Sequence, residues 1–238
     1  MTPGIALVIP AFRPPSVLPG LIRDIISLDN PRVFEAIIVV DDGSEPAFAP
    51  TFETAAAQPL VTIVHRDANG GQGAALKTGI GHALARFPDL AGVVTADADG
   101  QHAPDDVVKI ARAFAATPDA VLLGVRTFGA NVPLRSRIGN LLTQRLVALL
   151  AGLRVADTQT GLRGWPKRGC ERNLLNQANG FEYNLATLLA AAAAGDQIVE
   201  IPIRTIYEPG NPSSHFRPLH DSVRIYRVLV AHALRRRP

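Results

Sequence analysis

Cysteine occurs once in this chain of 238 residues, at Cys170. A single cysteine excludes an intrachain disulfide and any cysteine-rich zinc site, and it suits a reducing cytoplasm. Long apolar runs are also missing. The nearest to one, Leu185–Ala194, is short and alanine-rich, well below the ~20 residues of a membrane span, and it reads as a buried helix. The chain reaches strand-like sequence by Ile5 with no basic n-region or cleavage site before it, so no signal peptide is expected. No G-x-G-x-x-G follows the first apolar run, which argues against a nicotinamide dinucleotide fold. Internal repeats are absent, and the only low-complexity stretch is the alanine run at 190–194.

What is present is enough to build a core. Hydrophobic residues make up 47% and charged residues 19%, which excludes disorder and fits one large domain or a domain with an appendage. The net charge of +3 is uneven. From Arg217 onward there are six arginines and one acid, Asp221, giving +5, while the remaining 216 residues hold 18 basic and 20 acidic side chains, giving −2. The basic character belongs to the tail, and no nucleic-acid partner is expected.

Apolar runs at Ile5–Ile9, Ala36–Val40, Leu60–Val64, Gly92–Thr95 and Ala120–Gly124 read as strands, the first two buried on both faces. Helical spacing covers residues 16–28, with Ser16 as N-cap, then about 74–86 and 105–116. Strands alternating with helices at this spacing predict an α/β fold with a mostly parallel, doubly wound sheet. A long helix is expected over Pro133–Leu150, a loop over Val155–Arg163, a helix over Tyr183–Ala194, a strand over Ile198–Arg204 and a closing helix over Ser222–Leu234. Tyr207–Phe216, with two prolines, a glycine and two serines, reads as a mobile loop.

Four polar clusters follow predicted strands: Pro10–Arg13, Asp41–Ser44, Asn69–Gly73 and Asp97–His102. Ligands of such sheets bind beyond the carboxyl ends of the strands, so the four should meet at one edge as a nucleotide site. Within TADADGQH, residues 95–102, Asp97 and Asp99 are two apart and point to one side of an extended segment. Two like charges so placed call for a cation between them, and oxygen donors suit Mg²⁺ or Mn²⁺ with open positions for phosphate oxygens. The alternative for a bare D-x-D is a strand-end turn.

Together VIPAF, VVDDGS, the Asn-Gly-Gly-Gln-Gly loop, DADGQH, DTQTGLRG, GFE and SSHF resemble family 2 glycosyltransferases of the GT-A fold. The likeness is strongest to the dolichyl-phosphate mannosyltransferase-like branch, which charges polyprenyl phosphates with sugars, and it runs from about Ile5 to Tyr226. It implies a GT-A domain over residues 1–216 with an acceptor-side helical region. Residues 217–238 would be a basic amphipathic helix able to lie on an anionic membrane surface, peripheral to the inner face of the cell membrane.

The resemblance also implies roles. Asp42, or its neighbour Asp41, would hydrogen-bond the nucleobase of a UDP- or GDP-linked sugar, and Pro10 and Phe12 would wall it. Gly73, Ala96, Ala98 and His215 would complete the donor site. Asp97 would approach the ribose and the metal, Asp99 would bind the metal, and Gln101 would be a further ligand. His102 is the alternative to Gln101, or a turn histidine with a structural hydrogen bond. Arg126, Ser136 and Arg137, with Arg135 as a substitute, would hold an acceptor phosphate. Transfer would invert the anomeric centre. A hydroxyl acceptor would instead require a base, with Asp157 or Glu182 as candidates, each also readable as a loop-ordering or helix-capping residue. A nucleotide-sugar-binding regulator without turnover is the alternative of another class. Two features depart from the mannosyltransferases: C-terminal transmembrane helices are not seen, and the 207–216 loop is longer, with His215 where they tend to have lysine.

Overall fold

The structure is a computed structural model that describes residues 4–126, 134–204, 206 and 218–235, except for the side chains of 134–142, 218–220 and 235. In chain order the elements are β1 (Ile5–Ala11), α1 (Leu18–Leu28), β2 (Phe34–Asp41), α2 (Ala49–Ala56), β3 (Val61–His65), α3 (Gln72–Arg86) and β4 (Gly92–Thr95). Then come α4 (Pro104–Ala116), β5 (Val121–Arg126), α5 (Leu134–Ala151), β6 (Arg163–Pro166), α6 (Lys167–Leu174), α7 (Glu182–Ala193), β7 (Ile198–Ile203) and α8 (Pro218–Arg235).

The seven strands form one sheet in the order β3-β2-β1-β4-β6-β5-β7. β1, β2, β3 and β4 pair in parallel, as do β5 and β7, while β6 runs antiparallel between β4 and β5. The predicted parallel α/β sheet is therefore present, with one reversed strand that the sequence reading omits. Arg-Gly-Trp-Pro carries no apolar run and no alternation, so its pairing is decided by its neighbours rather than by its own pattern. Helices α2 and α6 were also unforeseen. Helix α1 is preceded by Val17 with no side-chain cap, so Ser16 is not the N-cap; Pro19 in the first turn sets the start instead.

Because successive side chains alternate faces, β1 and β2 feed two cores at once. Ile5, Leu7, Ile9, Ile37 and Val39 pack under α1, α2 and α4, whereas Ala6, Val8, Ile38 and Val40 pack under α3, α6 and α7. Each large aliphatic side chain buried in this way contributes roughly 1.5–3 kcal/mol. A third cluster joins α5, α7 and α8 through Val147, Ala151, Leu185, Leu189, Ile225 and Leu229. It seats the closing helix on the sheet side where β1, β2 and β4 end. Register then does the positioning: Ala11 lies beside Asp41 and Val8 beside Thr95, so the three strands deliver their polar ends to one edge.

Candidate active site

A cleft of about 580 Å³ opens at that edge, within the size range of small-molecule sites. The end of β1 contributes Pro10, Phe12 and Arg13, β2 contributes Asp42, and the loop before α3 contributes Asn69, Gly71 and Gln72. Asp97, Ala98 and Asp99 follow β4, Gly180 and Phe181 precede α7, and Asp221 and Arg224 come from α8. The clusters expected to converge do converge.

Asp97 and Asp99 form its electrostatic centre. Burial holds the Asp99 carboxyl above its ordinary range, and the charge of Asp97 adds to the rise. Asp97 is raised as well, by burial first, against the pull of Arg126, Gln72 and Arg163. Its Oδ1 accepts from Gln72 Nε2 at 2.9 Å, and Gln72 Oε1 in turn accepts from Asn184 Nδ2 at 3.3 Å. His102 is buried, and burial pushes its pKa down to about 4. Its Nδ1 accepts the Asp97 backbone N–H at 3.2 Å, the structural bond of a neutral turn histidine. Gln101 donates its backbone N–H to Asp99 Oδ1 at 3.0 Å. Gly161 lies against the Asp97 carboxylate: a Cβ there would meet both Asp97 oxygens and come 2.6 Å from Cγ. Thr95 Oγ1, bonded to the Gly161 carbonyl at 2.7 Å, holds that backbone in place.

These residues fit a divalent cation. Two half-buried carboxylates are both raised, Asp99 in part by the charge of Asp97, which an added positive charge relieves. Among the described residues no group of three or more His, Cys, Asp or Glu is arranged around a metal. A two-carboxylate set suits an ion that takes its other ligands from phosphate and water.

Of the Asp41–Asp42 pair, Asp42 faces the cleft. Its carboxylate accepts from Gly70 N at 3.1 Å and Gly71 N at 2.8 Å and pairs with Arg66 Nε at 2.7 Å. Burial nevertheless leaves it raised from the ordinary carboxylate value, more than the Gly70, Gly71 and Arg66 contacts lower it. Arg66 also donates to the Ala74 carbonyl and Thr78 Oγ1, at 3.2 and 2.7 Å. It thereby ties the glycine loop to α3. Asp41 is spent on structure: Oδ1 accepts Ser44 N at 2.8 Å and Oδ2 meets His65 Nδ1 at 3.0 Å. Gly73 packs α3 against α7, where a Cβ would come 2.6 Å from Tyr183 Cβ, and Ala96 is buried with its N–H on the Val8 carbonyl.

The two candidate bases have separate fates. Asp157 is fully buried and grips Arg126 at two points, Nε to Oδ2 at 2.6 Å and Nη2 to Oδ1 at 3.1 Å. Its Oδ1 also accepts Gln159 N at 3.1 Å. Burial opposes the charge on Arg126, but Asp157, Asp97 and Asp99 leave its pKa raised overall. Glu182 uses Oε1 to accept Asn179 N and Gly180 N at 3.3 and 3.1 Å, while its buried Oε2 has no hydrogen-bond partner among the described residues.

Sequence reasoning missed Arg163. It is fully buried in β6, with burial pulling its pKa down to about 10. It donates to the carbonyls of Thr158, Thr160 and Asn184 at 2.9, 2.8 and 2.6 Å. One guanidinium thus clamps the Asp157–Gly161 loop to α7. Gln72 and Arg66 were likewise assigned no role, and Asp221 and Arg224 were read as tail rather than cleft. The side chains of Ser136 and Arg137, and all of His215, lie outside the described residues.

Comparison with known proteins agrees with this geometry. The family described as Glycosyl transferase family 2 matches residues 6–177. The UDP-N-acetylglucosamine–dolichyl-phosphate N-acetylglucosaminyltransferase of Methanococcus voltae is 30% identical over 85% of this chain and 86% of its own length. The undecaprenyl-phosphate mannosyltransferase of Micrococcus luteus is 27% identical over 82% and 81%. Among solved structures, glucosyl-3-phosphoglycerate synthase from Mycobacterium tuberculosis, in complex with Mn²⁺, uridine diphosphate and phosphoglyceric acid, superposes with a TM-score of 0.72. It does so at 19% identity over 98% of this chain and 78% of that one, a likeness of fold. The chain belongs to glycosyl transferase family 2, and its fold is that of the GT-A glycosyltransferases.

Proposed function

We propose that this glycosyltransferase moves a sugar from a UDP- or GDP-linked donor to a polyprenyl phosphate, with inversion and with Mg²⁺ or Mn²⁺ held by Asp97 and Asp99. The observation that carries the acceptor class is the pairing of buried Asp157 with half-buried Arg126. A hydroxyl acceptor must lose a proton to a base. A phosphate monoester, ionised near neutrality with a second pKa of about 6, needs only to be held and aimed. Asp157 is buried and committed to a guanidinium, which makes it a poor base and a good orienting group for Arg126. Relatives named as dolichyl-phosphate and undecaprenyl-phosphate transferases point the same way. Arg126, Ser136 and Arg137 would receive the acceptor phosphate.

The donor would enter the cleft with its base between Pro10 and Phe12 and near Asp42. A bound cation would stabilise charge on the departing diphosphate, worth several kcal/mol. The protein's own part is to keep Asp97 aimed through Gln72 and Asn184 and to keep Gly161 clear of it. A second reading, transfer to a saccharide or lipid hydroxyl, draws on the unpartnered Glu182 Oε2. A binding regulator without turnover is disfavoured by the intact Asp97–Asp99 pair.

The same reading divides the chain into a catalytic body, 1–216, and a basic helix, 217–238, that rests on the membrane. No helix among the described residues is long and apolar enough to span one. α8 does show an outward row of Val223, Val230 and Leu234, 58%, 51% and 60% exposed, beside exposed Arg227. Apolar side chains interleaved with arginine suit an anionic surface, at about 1 kcal/mol per basic residue.

Four outcomes test these statements. Asp99→Ala should abolish transfer with the fold intact, and Mn²⁺ should raise the parent's Tm more at pH 7.5 than at pH 5. The sign follows from the carboxylates. Their folded pKa values are raised, so ionising them as pH climbs above the unfolded value of 3.8 costs stability. A cation restores that loss, and protons compete with it in acid. Equal Tm shifts at both pH values, or full activity in excess EDTA, would sink the metal assignment.

Gly161→Ala should lower kcat/KM at least ~10-fold by displacing Asp97, with a stability cost of about 1–3 kcal/mol; undiminished turnover would show that the close approach is idle. Undecaprenyl phosphate should be glycosylated and the free alcohol ignored. The reverse result would favour the hydroxyl reading, with Glu182 as base. Finally, the protein should sediment with anionic liposomes in a salt-sensitive manner, and equal sedimentation with neutral vesicles would count against the membrane-facing role of α8.

A further inference from the structure

The cleft has an unbalanced charge inventory. Its wall carries the carboxylates Asp42, Asp97, Asp99 and Asp221 and, among the described residues, the cations Arg13 and Arg224. Arg13 is engaged: its guanidinium lies 4.9 Å from the Phe12 ring centroid and pairs with Glu45. Arg224 is not. It is exposed, no carboxylate of a described residue pairs with it, and it projects from the second turn of α8. Its Nη1 sits 3.1 Å from where a Cβ on residue 180 would stand, directly over the entrance to α7. Ile225 and Leu229 pin that face of α8 into the cluster shared with α5 and α7, so the arginine is held at the cleft by packing rather than by a salt bridge.

A guanidinium left without a carboxylate at the wall of an acidic, anion-receiving cleft is placed to meet an incoming phosphate. We propose that Arg224 is a phosphate-binding residue of this site, taking an oxygen of the donor's diphosphate or of the acceptor's phosphate. α8 then completes the active site and is more than a surface attachment. This rests on the nucleotide-sugar reading above. Physically, Arg224 would supply the charge that a pair of metal-bound carboxylates cannot, and binding its phosphate would neutralise the one cation among the described cleft residues that no carboxylate engages. Lysine in its place would keep the charge but lose the planar two-point contact.

The test measures UDP and GDP binding in Mn²⁺ by calorimetry on parent, Arg224→Ala, Arg224→Lys and Arg23→Ala chains. Uridine and guanosine serve as phosphate-free controls, and acceptor KM is measured on the same proteins. Arg23, exposed on α1, controls for a lost surface charge. If Arg224 meets the donor, Arg224→Ala should weaken diphosphate binding at least tenfold without changing nucleoside binding. If it meets the acceptor, nucleotide affinity should hold and the acceptor-phosphate KM should rise at least tenfold. In either arm Arg224→Lys should recover part of the loss, and Arg23→Ala should match the parent. Parent-like diphosphate affinity and acceptor KM in Arg224→Ala, or an equal loss in Arg23→Ala, would overturn the assignment while leaving the donor reading intact. A parent chain that binds neither diphosphate would overturn both.

Discussion

The arrangement depends on two carboxylates that repel each other in a partly dehydrated place. Asp97 and Asp99 sit at the end of a buried strand, and Arg126 and Arg163 act on Asp97 through the field. Hydrogen bonds in series hold the pair in shape. Asn184 fixes Gln72, Gln72 fixes Asp97, and the Asp97 N–H rests on a neutral histidine. Such a chain orients the carboxylate without neutralising it, so that a cation, if bound as proposed, would meet an intact negative centre.

Around that centre the two buried or half-buried arginines are held in different ways. Arg126 and Asp157 cancel locally, and Arg163 spends its donors on three backbone carbonyls rather than on an acid. Removing Arg163 would take a donor from the Thr158 and Thr160 carbonyls and release the loop that carries both Asp157 and Gly161. A buried arginine that bonds only to backbone is costly to desolvate. Its place here is explained by what it joins: β6, the 157–161 loop and α7.

Much of this was legible, because the strands that matter are also the most apolar. Ile5–Ile9 and Ala36–Val40 could be read as buried on both faces, and the polar residues after them line the cleft where the carboxyl-end rule put them. Pro10, Phe12, Asp42, Asp97 and Asp99 were readable for that reason. Three kinds of feature were not. The reversed strand β6 has no pattern of its own. Asp41 and Asp42 look equivalent in sequence, and only the turn to Ser44 and the partner His65 decide that Asp41 is structural. Arg66, Gln72 and Arg163 act through contacts made far along the chain, which no local spacing records.

α8 shows why a charge count is a poor guide to role. The run of arginines drew the C-terminus toward a membrane reading, and its outward row of Val223, Val230 and Leu234 is consistent with that. Yet the same helix presents Asp221 and Arg224 inward to the cleft and buries Ile225 and Leu229 between α5 and α7. At 3.6 residues per turn, positions 221, 224, 225 and 229 share one side of the helix, and 223, 230 and 234 share another. A helix fixed in this way makes any surface that binds its outer row a fixed distance from the cleft. On the proposed acceptor reading, a polyprenyl chain embedded in that surface would carry its phosphate to the cleft without the protein having to reach for it.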